Sequence, residues 1–206
     1  MTQAEVREGL MRLKLGFEFS LVTVFLLAII LASMMVKSMM REYWDYSSLW
    51  FFLFLISVIF WGLGIYYRSG GWNLLKLNRV GSAVKLGAYL SLVPLLIAPL
   101  IVFAFLFYYF PIIWAIYTMF ESHGFKKLKR DFSIDLSTSR ICSLIGIVAF
   151  EIGLIAERFW IYPLVVPFLF ASPFLSASCL IAIYKMKGNG KKREFAPNSS
   201  SSLEYF

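Results

Sequence analysis

The sequence predicts an all-α, polytopic membrane protein of about six transmembrane helices, arranged as three hairpins of the same orientation. Three observations carry this expectation. Hydrophobic residues make up 60% of the 206 positions and charged residues only 16%, with a mean hydropathy of +0.74. A soluble domain is closer to half apolar and a quarter charged. The apolar residues fall in charge-free blocks long enough to cross a bilayer, and the basic residues fall between the blocks in a one-sided pattern.

A helix rises about 1.5 Å per residue, so roughly 20 apolar residues cross the hydrocarbon core. The first block, Phe19 to Val36, contains no charge. The second, Ser48 to Tyr67, places Trp50, Trp61, Tyr66 and Tyr67 towards the headgroup zones that aromatic rings favour. From Leu86 to Phe120 about 35 residues pass without a charge. One straight helix of that length would reach on the order of 50 Å, too far for one crossing. Two helices turning near Pro99 to Pro111 fit better, with Pro111 in the first turn of the second. The fifth block runs from about Thr138 to Ala156. The sixth, Trp160 to Tyr184, is long and carries Pro163, Pro167 and Pro173, so tilt or kinking is expected. Residues 1–187 form one transmembrane domain in this reading, with hairpins at about 9–70, 71–123 and 124–187. The polar residues 188–206 read as a disordered tail.

Charge sets the orientation. With the N-terminus inside, only Lys37, Arg41 and Arg158 of the 20 Lys and Arg lie outside. If 86–120 crossed once, the Lys126–Arg130 cluster would be moved outside, against the positive-inside bias. Six spans therefore fit better than five, and both termini are expected in the cytoplasm of a multi-pass cell-membrane protein. The basic lead before the first block resembles a secretory signal, but its length and the repeat below favour retention. The formal charge of +8 is explained by topology and anionic headgroups, without a nucleic-acid partner.

A sequence echo accompanies the three hairpins. Gly9-Leu10-Met11-Arg12-Leu13-Lys14, Gly71-Trp72-Asn73-Leu74-Leu75-Lys76 and Gly124-Phe125-Lys126-Lys127-Leu128-Lys129 each read Gly, large apolar, two variable positions, Leu, Lys. An amphipathic segment is expected at each, with Lys at the headgroups, and Gly70-Gly71 and Gly124 are expected to end the preceding helices in a left-handed conformation. The placing of such segments before apolar hairpins resembles small multi-span membrane proteins of thermophilic archaea, known as domains of unknown function. That resemblance supplies no catalytic residues.

Few residues carry chemistry. Glu151 sits deep in the fifth block, where a carboxylate costs at least about 2.5 kcal/mol. It is the candidate intramembrane polar site, either for proton or cation handling or as a packed, hydrogen-bonded acid. Gly146, Ala149 and Gly153 give the same helix a small face for close packing. Pro94, Pro99 and Pro173 are candidate hinges. Glu18 is expected to pair with Lys14 one turn earlier. Lys85 and Arg140 are expected to snorkel. Cys142 and Cys179 show no zinc or disulfide pattern, and His123 has no ligand partners in sequence. No cofactor, metal or catalytic constellation is expected.

The sequence thus favours a non-enzymatic accessory or structural subunit of a membrane complex, in contact with lipid and with other subunits or its own copies. The alternative is a small proton- or ion-coupled transporter or channel using Glu151; a lipid-modifying enzyme is least supported. For the topology, a cysteine placed at Lys127 should react with an impermeant maleimide only after cells are permeabilised. Reaction in intact cells would put this loop outside and dismantle the six-span reading.

Overall fold

A computed structural model describes residues 2–40, 47–97, 103–157 and 165–194. It is all-α. Six helices follow in order: α1 (Gln3–Met40), α2 (Ser47–Leu74), α3 (Asn78–Ile97), α4 (Phe103–Phe132), α5 (Ser137–Glu157) and α6 (Val165–Glu194). Among the described residues three segments are long and apolar enough to cross a membrane: Gln3–Ser33, Phe52–Leu74 and Val166–Lys187.

The helices pack in chain order and close into a ring. Each lies against its sequence neighbours, and α1 returns to contact α6. The most extensive pairing, α1 on α2, is explained by four glycines. Gly9 faces Gly71 and Gly16 faces Gly64, an antiparallel register at seven-residue spacing. A Cβ on Gly71 would lie 2.8 Å from the Gly9 carbonyl oxygen, and one on Gly16 would lie 2.9 Å from that of Gly64. Small residues let backbones approach this closely where lipid provides no hydrophobic drive for helix association. The small face of α5 works similarly. Gly146 meets Leu175 and Phe174 of α6, and a Cβ on Gly153 would lie 2.9 Å from the Pro167 nitrogen. Ala149 is buried on the same face. Below them Ser139 and Ser178 each donate to the other's backbone carbonyl at 2.8 Å, joining α5 to α6 by a reciprocal polar contact.

Two glycine expectations are corrected. α2 runs through Gly70-Gly71 to Leu74, and α4 runs through Gly124 to Phe132. The left-handed residues are Lys76 (φ 57°) and Ser133 (φ 56°). At Lys76 the Leu77 N–H donates to Trp72 (2.9 Å) and the Lys76 N–H to Asn73 (3.0 Å), the paired bonds of a Schellman stop. These bonds satisfy the helix-end carbonyls and offset the strain of a non-glycine there, leaving Gly71 and Gly124 for close packing. After α4, the Asp135 carboxylate accepts from the Ser137 N–H (3.0 Å), capping α5, and meets Lys129 Nζ at 2.7 Å. The lysine and the cap hold its pKa well below the ordinary carboxylate range.

Other boundaries also move. Pro111 lies well inside α4, which begins at Phe103, and α6 continues past Lys187 to Glu194, so 188–194 are helical rather than tail. Pro94 lies within α3 and Pro173 within α6. Pro99 and residues 195–206 fall outside the described residues.

The core gathers at one end. Leu13, Leu75 and Leu128, one from each sequence echo, are buried together with Phe17, Trp72 and Phe125. Lys76 and Lys129 are exposed, and Lys14 pairs with Glu18 at 3.3 Å. The first echo lies inside α1, the second ends α2 and the third lies near the end of α4, so none forms a separate surface segment. Along the rest of the bundle large apolar side chains point outward, among them Phe25, Ile29, Phe52, Ile59 and Ile152.

Gly16→Ala should destabilise the full chain in detergent micelles by about 1–3 kcal/mol through overpacking of the α1–α2 seam. Gly62→Ala, where an added Cβ meets nothing within 4 Å, should be neutral or slightly stabilising. Equal melting temperatures for the two variants would show that the seam is not tight.

Candidate functional site

The site begins with two charged residues at the ends of apolar stretches. Arg68 follows Tyr66-Tyr67 on α2, and Glu121 follows the charge-free stretch on α4. Their helices are not adjacent in the ring, so long side chains must bridge them. The Arg68 Nε donates to Glu121 Oε1 at 3.1 Å, and Nη2 donates to Oε2, giving a bidentate pair. The side chains are 14% and 4% exposed. Trp72, one turn along α2 and fully buried, donates its indole N–H to Glu121 Oε1 at 3.2 Å. Gly124 is required here because a Cβ would sit 2.7 Å from the Trp72 ring.

The guanidinium is held between two rings. Its central carbon lies 4.3 Å from the Phe17 centroid and 5.4 Å from that of Tyr117. Such stacking supplies cation–π attraction and suits the weakly hydrated face of arginine. The remaining terminal nitrogen, Nη1, reaches Ser20 Oγ at 3.4 Å. Gly16 makes room for the arm, since a Cβ would come within 2.7 Å of the Arg68 backbone nitrogen. Phe125 completes the surround, 5.9 Å from Trp72 and 6.3 Å from Phe17.

This cluster forms one wall of a cavity of about 340 Å³. All six helices line it, with Ser20 and Leu27 from α1, Ser57 and Trp61 from α2, Ala88 from α3, Tyr117 from α4, Phe150 from α5 and Cys179 from α6. The lining is mostly apolar. Its hydroxyls are largely satisfied within their own helices: Ser20 donates to the Gly16 carbonyl, Thr23 to Phe19 and Ser57 to Phe54, at 2.7–2.9 Å.

The residues expected to carry chemistry lie elsewhere. Glu151 is half-buried, does not line the cavity, and among the described residues makes no hydrogen bond or ion pair. Its neighbour Phe150 is the residue that faces the cavity. Cys179 lines the cavity and Cys142 does not; both are free thiols. His123 is exposed beside Glu121. Among the described residues no group of three His, Cys, Asp or Glu could hold a metal ion. Sequence reasoning missed the Arg68–Glu121 pair, although both residues border apolar stretches on the same expected side of the membrane.

No protein family, curated protein or solved structure matches this chain. The resemblance to archaeal multi-span proteins therefore gains no support from these comparisons. The chain is a helical protein with membrane character.

Proposed function

We propose that the chain is a six-span membrane protein, three same-orientation hairpins closed into a ring, whose central cavity binds a small amphipathic molecule and makes it a carrier. The observation that carries this reading is the mostly apolar cavity of about 340 Å³ lined by all six helices, with a buried ion pair in its wall. Ligand sites are concave, mainly apolar and supplied with a few placed polar groups, at volumes of about 300–1,000 Å³. A chain that only fills space in a complex has no need to hold such a volume open. The transport alternative is thereby kept, and its polar residues become Arg68 and Glu121 in place of Glu151. Catalysis is not part of the proposal.

Membrane placement rests on the outward apolar side chains and on the sorting of basic residues. Both termini and the buried core end lie in the cytoplasm in this reading. The accessory-subunit reading has one observation in its favour. Outward rings such as Phe52 and Tyr89 suit a protein partner as well as lipid.

The full chain in phosphatidylcholine nanodiscs should bind radiolabelled decanol saturably, at one molecule per chain above empty nanodiscs. Ala88→Trp, which fills the cavity, should abolish it. No saturable decanol binding, together with co-purification of a stoichiometric membrane partner, would replace the carrier with the subunit.

A further inference from the structure

The hydrogen bonds around Arg68 and Glu121 are unevenly satisfied, and this deepens the carrier reading on which it rests. The Glu121 carboxylate is engaged at both oxygens. It accepts from Arg68 Nε and Nη2 and from the Trp72 indole. Arg68 is only partly engaged. A guanidinium has five N–H donors. Two go to Glu121 and one makes a long 3.4 Å contact with Ser20, whose own proton is committed to the Gly16 carbonyl. Two N–H groups remain without a partner among the described residues, on a side chain that lines the cavity. The charged donor in the wall thus has two free N–H groups among the described residues, while both oxygens of the charged acceptor are already engaged.

The spare donors call for an acceptor, and the apolar remainder of the lining calls for a hydrocarbon or aromatic body. A guanidinium binds an anionic oxygen pair more strongly than a neutral acceptor. An anion in the cavity would, however, meet Glu121 across the same guanidinium. Two negative charges cannot share one buried cation without a large desolvation cost. No second cation lines the cavity among the described residues: with Arg68 of α2 stand Phe17 and Ser20 of α1, Val84 and Gly87 of α3, Tyr117 of α4, Ser143 and Phe150 of α5 and Cys179 of α6. A proton is the remaining way to balance the charge.

We infer that the cavity takes a monoanionic amphipath with its head on Arg68, and that Glu121 takes up one proton for each anion bound. In the empty state Glu121 occupies the fork of Arg68 as an internal substitute for the ligand head. When the head arrives, Arg68 exchanges the Glu121 carboxylate for the anionic head. The released Glu121 keeps its Trp72 contact and accepts a proton from solution, so the site stays neutral overall. Anion and proton then move together. The shared chemistry fits either a single-chain lipid anion or a compact aromatic anion from water.

The test uses the full chain in phosphatidylcholine nanodiscs with radiolabelled decanesulfonate, whose head stays ionised at any working pH. Decanol, decyltrimethylammonium and benzenesulfonate are the comparison probes. The inference expects decanesulfonate to bind tighter than decanol, with about one proton taken up per anion and a dissociation constant rising about tenfold per pH unit. Glu121→Gln should bind it without proton uptake and without pH dependence. Arg68→Gln should bind decanol but lose the preference for the anion. The wild-type proton count needs no variant, so a misfolded substitution leaves the test intact. Tighter binding of decanesulfonate or of benzenesulfonate, with proton uptake, supports the inference and identifies the source. Saturable decanol binding with no anion preference or no proton uptake overturns it and leaves the carrier standing. No saturable binding of any probe overturns both.

Discussion

A buried arginine and glutamate on helices that are not neighbours in the ring are the constraint from which the rest of this bundle can be understood. Removing either charge from water is costly, and a lone buried charge costs several kcal/mol more than a paired one. Arg68 must therefore meet Glu121. For that to happen α2 and α4 must hold fixed rotations while α3 packs against both. Phe17 and Tyr117 cover the faces of the guanidinium, and Trp72 satisfies the carboxylate from the side. Each of these side chains also belongs to the buried cluster or packs against it. The polar tie and the core are thus one object.

The glycines follow from the same constraint. Gly16 leaves room for the arm of Arg68, and Gly124 leaves room for the ring of Trp72. Gly9, Gly64 and Gly71 bring α1 close enough to α2 for Phe17 to reach the guanidinium. None of the described glycines has a positive φ, and the left-handed stops are made by Lys76 and Ser133. Backbone proximity is what these glycines provide.

Much of the fold was legible in the sequence because lipid imposes a one-dimensional rule. Charge-free blocks long enough to cross give helices, and the 35-residue block from Leu86 resolves into α3 and α4. The ring was not legible, because hydropathy records which residues avoid water and not which helix each one faces. The echo around Leu13, Leu75 and Leu128 marks positions that share a cluster, but the Gly and Lys beside them give each segment an amphipathic pattern that does not reveal how deeply the leucines are buried. Depth drew attention to Glu151. Pairing was the stronger signal: Arg68 and Glu121 have opposite charges at matching edges of apolar stretches, and only the fold brings residues so distant in sequence together.

The most direct test of this account is a double-mutant cycle on the cross-ring tie, read as unfolding free energy of the full chain in micelles. Arg68→Leu and Glu121→Leu alone should each cost about 3–5 kcal/mol, because each leaves a buried charge without its partner. Combined, they should cost far less than the two single losses together, since no charge is left unpaired. Additive losses in the double variant would contradict the account, because the two side chains would then be acting independently.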